Sequence, residues 1–215
     1  MTPPARWAGV DVGGRRKGFH VAVVDAERLL EPPVQLPTPA HVAAWLSERR
    51  PRLVAVDSPR HPAPHGERSR ADERQLARAV CGIRYTPDAP ALAANPAYYE
   101  WIEHGFALYA ALAAAGLPSV ECFPTAAFTR WTGARGRERR AVWSQRGLDA
   151  MLPDARRPRL GQDARDAIAA ALTARAWDTG RADAFGDIVV PCRAGARAGG
   201  IEPAVRADHV KGETR

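Results

Sequence analysis

Five acidic residues stand where carboxylates can do chemistry. Asp11 closes the apolar run "GVDV", Asp57 closes "PRLVAVD", and Glu121 sits inside the brief apolar stretch "PSVECFP". Asp163 and Asp166 lie three residues apart in "GQDARDAIAAALTAR", a spacing that makes them neighbours on one helical face. Carboxylates gathered at one point repel each other and need a counter-charge, and a pair of divalent ions, Mg²⁺ or Mn²⁺, is the usual one. Each acid also has a bland explanation. Asp favours turns, and acids in a helix's first turn complement its dipole, with Asp163 a natural N-cap. The acids acquire joint meaning only if the elements that carry them converge.

Those elements can be read from the apolar pattern. Residues 9–12 and 18–24 read as two strands of a hairpin, with Gly13 and Gly14 giving the turn its conformational freedom. "RLLEP" reads as a short third strand closed by Pro32 and Pro33. "TPAHVAAWLSERR" reads as a helix with Thr38 as its cap and Pro39 in its first turn. The run ending in Asp57 follows that helix and has the continuous apolar character of a strand covered on both faces. Further helices are expected over "ADERQLARAVCG", "NPAYYEWIEHGFALYAALAAAG", the region around "RERRAVWSQRGLDAML", and "GQDARDAIAAALTARAWDTG". "PSVECFP" and "DIVVP" supply later strands.

This order predicts an α/β protein with one mixed sheet, a three-stranded meander extended by parallel strands through helical crossovers. The fourth strand can lie beside the first and parallel to it. Asp11 and Asp57 would then emerge at the same carboxyl-terminal edge, where such sheets place their sites, with Glu121 a third candidate for that edge. Ala167, Ala170 and Ala174 continue the face of Asp163 and Asp166, and side chains this small permit close approach to a sheet.

Composition sets the outer limits. With 215 residues, 46% of them hydrophobic and 26% charged, the chain suits one globular domain over residues 1–192. Residues 193–215 form a Gly- and Arg-rich tail, expected to be largely mobile. No apolar run is long enough to span a bilayer, and no signal segment is evident at the N-terminus. Cys81, Cys122 and Cys192 are widely spaced, which argues against a disulfide scaffold and for a reducing, cytoplasmic setting. His61 and His65 fall in the Pro-containing stretch "RHPAPHGERSR" and read as loop residues rather than ligands.

The net charge is +7, and the cations are almost all arginine, with Lys17 and Lys211 the sole lysines. From Arg130 to Arg159 nine arginines face Glu138, Asp149 and Asp154, so most of the excess charge lies in that stretch. It suits either a solvated helical face or a surface that binds a polyanion such as nucleic acid. Arg135, Arg137, Arg139 and Arg140 are the candidates for phosphate contacts.

Five segments, "GVDVGGRRKGFHVAVVD", "VAVDSP", "RADERQLARAVCG", "VECFPTAAF" and "DARDAIAAALTAR", fall in the order seen in domain-of-unknown-function family 429. The chain resembles that family over roughly residues 7–191. The family is described as predicted nucleases with the ribonuclease H fold. The resemblance implies that Asp11 is the first-strand acid, Asp57 the fourth-strand acid, and Asp163 with Asp166 the helical pair. Glu121 matches the family's Glu in "VECFP", and Asp72 also falls on a family position. The lysine expected near residues 135–142 is replaced by arginines.

Three readings follow. The first is a metal-dependent nuclease with two Mg²⁺ or Mn²⁺ ions held by Asp11, Asp57, Asp163 and Asp166, and with Glu121 a rim ligand or orienting base. The second is a non-catalytic protein that uses the same fold to bind RNA or DNA. The third is a nucleotide phosphotransferase of the actin and sugar-kinase type, with "DVGGRRKG" as a phosphate-binding hairpin. A chain of this length has little room for that third reading's two-core cleft.

Overall fold

The computed structural model describes residues 4–152 and 160–193. Two strands, β1 (Trp7–Val12) and β2 (Phe19–Val24), form the opening hairpin, followed by β3 (Val34–Leu36) and α1 (Pro39–Arg49). Next come β4 (Leu53–Asp57), α2 (Ala71–Ala79), α3 (Ala89–Ala94) and α4 (Pro96–Ala114). The remainder runs β5 (Ser119–Cys122), α5 (Pro124–Thr132), α6 (Arg140–Met151), α7 (Gln162–Asp178), β6 (Ala182–Phe185) and β7 (Ile188–Pro191). All seven strands join one sheet in the order β3-β2-β1-β4-β5-β7-β6.

The first three strands are antiparallel, and β1, β4, β5 and β7 run parallel. This is the expected meander with parallel additions, the mixed sheet that the family resemblance implied. β6 adds an antiparallel edge that the sequence did not announce. Its four residues are too few to show a period, and the turn to β7 at Gly186 has a positive φ of 59°.

The third strand differs from expectation. "RLLEP" is not a strand beyond a single bridge from Leu29 to Val24, and β3 forms instead from Val34–Leu36. Pro32 and Pro33 come just before it and Pro37 just after, which confines pairing to three residues at the sheet edge. Thr38 caps α1 as expected, accepting a hydrogen bond from the His41 N–H.

Each face of the sheet buries its own core. Trp7, Ala22, Leu53, Ala55 and Cys122 pack beneath α7, α5 and α6. Ala8, Val10, Val21, Val54 and Val56 pack against α1 and α4. Successive strand residues point to opposite faces, so this division assigns every neighbouring side chain to a side.

The contact between α7 and β1 is closer than side chains would allow. A Cβ on Gly9 would lie 2.0 Å from the Ala171 nitrogen and 2.3 Å from the Ala167 oxygen. Ala167, Ala170, Ala171 and Ala174 are all fully buried along this contact. Backbone therefore meets backbone, and the start of α7 is brought over the carboxyl ends of β1 and β4. The segment 153–159 that precedes α7, including Asp154, Arg156, Arg157 and Arg159, lies outside the described residues, as does the expected tail from residue 194.

Candidate functional site

Parallel pairing of β1 with β4 places Asp11 directly opposite Asp57. Their parity matches Trp7, Leu53 and Ala55, so both project from the α7 face. The antiparallel hairpin sets His20 opposite Asp11 on its other side. Above them, α7 begins at Gln162 with Gly161 as its cap, so Asp163 occupies the first turn rather than the cap position. Asp166 follows on the inward side and is buried.

Among the gathered carboxylates, Asp11 is short of a partner. Asp11 is buried and its Oδ2 has no hydrogen-bond partner. Burial pushes the Asp11 carboxyl up to about 7, reinforced by charge on Asp166 and Asp163, against the pull of Lys17 and Arg140. The Asp57 carboxyl is lifted well above the usual range by burial and then by Asp11 and Asp166. Burial also raises Asp166, with Arg140 pulling it back.

Two cations border the group. Lys17 Nζ lies 2.6 Å from Asp163 Oδ1. Arg140 donates to Asp166 Oδ2 at 3.0 Å, and the Gln162 amide donates to Asp166 Oδ1 at 2.9 Å. Lys17 stands on the β1–β2 turn, where the Lys17 N–H donates to the Gly14 carbonyl. Gly13 serves that turn by making room, since a Cβ there would come 2.7 Å from the Lys17 Cβ. The left-handed backbone falls on Gly18, at φ 65°.

Glu121 reaches the same edge but leaves it on the other face. It pairs with Val56, which belongs to the α1 and α4 side, whereas Cys122 belongs to the α7 side. Both Glu121 oxygens are engaged: Arg70 Nη1 donates to Oε2 at 2.8 Å, Arg70 Nη2 contacts Oε1, and the Arg60 N–H donates to Oε2 at 2.9 Å. Arg70 is itself buried and also reaches Glu73, whose carboxylate accepts from the Arg70 and Thr86 N–H groups.

Asp72 ties α2 to the β6–β7 turn by accepting from the Asp187 N–H at 3.1 Å. His61 joins the same corner, with Nε2 at 3.0 Å from Asp187 Oδ2. Of the arginine candidates, Arg140 borders the acids, while Arg135, Arg137 and Arg139 are exposed on the approach to α6.

His20 and Lys17 are the site neighbours that motif reading overlooked. Counting outward from the hairpin turn does find His20, because a symmetric register that pairs Val12 with Phe19 must pair Asp11 with His20. Lys17 carries a compositional signal, being a lysine in a chain that otherwise uses arginine.

One mixed sheet thus groups carboxylates at the ends of β1 and β4 and at the start of α7. The chain belongs to the family described as "Protein of unknown function (DUF429)", whose model matches residues 9–189. No curated protein matches it. The structure of RuvC from Thermus thermophilus is similar at 20% identity and a TM-score of 0.48, covering 81% of this chain and 96% of that one. A second, T. thermophilus RuvC in complex with a Holliday junction substrate, is 20% identical with a TM-score of 0.49, covering 78% and 91%.

Proposed function

We propose that the protein is a metal-dependent nuclease that hydrolyses phosphodiester bonds in a nucleic acid. The observation that carries this reading is the Asp11 carboxylate, buried with an oxygen that no protein group satisfies, beside Asp57 and beneath Asp163 and Asp166. A buried carboxylate without a partner is costly, and a bound cation removes that cost. The oxygen-rich donor set fits Mg²⁺ or Mn²⁺.

Asp11, Asp57, Asp163 and Asp166 are the residues that would hold the ions. Bound there, divalent ions supply Lewis acidity that sharpens a water nucleophile and neutralises charge on the departing oxygen. Lys17 and Arg140 stand at the rim, placed to grip the phosphate being cut and its neighbour. Arg135, Arg137 and Arg139 extend that positive surface for flanking phosphates. Glu121, held by Arg70, is a positioning residue that fixes the loop after β4 from below.

A non-catalytic nucleic-acid binder of the same fold is the second reading. The contacts from Lys17 to Asp163 and from Arg140 to Asp166 favour it, since they give two of the acids protein partners. One assay separates the two. Labelled single-stranded, duplex and branched DNA and RNA are incubated with Mg²⁺ or Mn²⁺ and wild type, Asp11→Asn, Asp166→Asn, or the exposed control Glu103→Gln. The nuclease reading expects cleavage by wild type and control, with binding but no cleavage by the Asp variants. Binding without cleavage by every protein supports the second reading instead.

A further inference from the structure

We infer that His20 is a nitrogen ligand of one cation, making that position a mixed nitrogen and oxygen site that prefers Mn²⁺ to Mg²⁺. The inference rests on the metal-binding reading of the acid cluster and specifies which ion one half of it selects. His20 lies outside the four-carboxylate set.

The spacing comes first. His20 Nδ1 stands 3.9 Å from Asp11 Oδ2 and 4.0 Å from Asp163 Oδ2, and the three groups offer ligand atoms all within 4.8 Å of one another. These separations are too long for hydrogen bonds. Two ligands on opposite sides of one small cation are separated by roughly 4.2 Å at most, given bonds of about 2.1 Å. The distances from the imidazole to both carboxylates fall inside that limit.

Independently, both atoms that face each other across this gap are orphans. Asp11 Oδ2 and His20 Nδ1 are each buried without a hydrogen-bond partner. Leaving two such atoms bare is costly. A cation between them satisfies both. Burial lowers the His20 pKa, which suits a neutral ring presenting a lone pair, although the charge on Asp163 works the other way. Lys17, on the outer oxygen of Asp163, leaves Oδ2 turned toward the gap, as an outer partner orients a ligating carboxylate.

Imidazole changes which ion is held best. Mg²⁺ is suited by oxygen ligands and retained water, whereas a nitrogen donor favours transition ions, and Mn²⁺ accepts both donor types. Pure carboxylate sites gain no such discrimination.

The test reads the nitrogen directly. Mn²⁺ is bound to the full-length protein and examined by electron spin-echo modulation, with Mn²⁺ and Mg²⁺ affinities measured in parallel by calorimetry. Wild type is expected to show nitrogen coupling that disappears in His20→Ala and persists in the remote control His41→Ala. His20→Ala should lose about tenfold or more in Mn²⁺ affinity, with Mg²⁺ affinity changing less than about threefold. His20→Gln retains bulk and polarity should the Ala variant fail to fold, and the same losses are expected from it. Mn²⁺ that binds, is lost in Asp11→Asn, and shows no His20-dependent nitrogen coupling overturns this inference while leaving the nuclease reading standing. Wild type that binds neither ion overturns both.

Discussion

The two faces of the sheet edge at β4 and β5 carry carboxylates in opposite circumstances. On the α1 and α4 side, Glu121 and Glu73 share the buried guanidinium of Arg70 and accept from three backbone N–H groups. On the α7 side, Asp11 and Asp57 face each other in register with an oxygen left over and cations only at the rim. Burial lifts the carboxyls of Asp11 and Asp57 on one side and of Glu121 on the other. The difference is a built-in counter-charge. Where the chain supplies one, acids serve structure; where it leaves an oxygen bare, as at Asp11, the proposed function assigns the counter-charge to a bound ion.

The largest effect that could break this comparison is catalytic. Asp57→Asn is expected to reduce metal-dependent cleavage at least about a thousandfold, equivalent to roughly 4 kcal/mol in barrier, while raising the melting temperature of the metal-free protein. Steady-state cleavage and thermal melts without metal check the two halves. A variant that melts lower than wild type would mean the α7-side acids support structure after all.

On the opposite face, Arg70→Ala should cost about 3–5 kcal/mol in urea unfolding, because Glu121 and Glu73 lose the charge that compensates their burial. Adding Glu121→Gln to that variant should restore part of the loss. Metal affinity should change little in either protein.

The pH dependence of stability sharpens the contrast further. The Asp11 carboxyl near 7 in the folded protein compares with about 3.9 in an unfolded chain. The metal-free folded state therefore holds a proton that the unfolded state releases between those values. Its stabilising contribution is full below about pH 4 and is lost as pH rises through 7, on the order of 2 kcal/mol after coupling to its neighbours. Unfolding free energies from urea melts of Asp11→Asn between pH 4.5 and 7.5 should vary less than those of wild type by that amount.

The smallest effect concerns the rim. Arg137→Ala and Arg139→Ala should each weaken nucleic-acid binding alike across sequences and reduce the salt slope by about one unit. Filter binding at several salt concentrations measures it. An unchanged slope returns these arginines to the role of a solvated face.

Much of this arrangement is legible in the sequence because apolar runs and caps are local signals. The hairpin, the run into Asp57 and the helix from Gln162 to Asp178 each follow from their own residues, and strand order follows from where helices intervene. What is not local is harder to read. Glu121 sits in a short strand without a visible period, so its face becomes clear only through its register with Val56. The partnership of Arg70 with Glu121 joins residues 51 apart in sequence. Three-residue β3 and four-residue β6 depend on neighbours for their pairing, and the proline-flanked "PVQLP" resembles loop more than strand.

The missing side chain at Gly9 has a consequence for tolerance in the site. Because α7 rests on β1 through main-chain atoms, the offset between the Asp11 backbone and that of Asp163 and Asp166 depends on no rotamer and no packing volume. Most cores absorb a substitution by small side-chain adjustments, but this junction has none to make. Gly9→Ala would act like a shim under one end of a rigid beam, lifting the helical acids from the strand acids together. Precision in the spacing of the proposed ligands is thus set two residues before the first of them, at a position that bears no functional group.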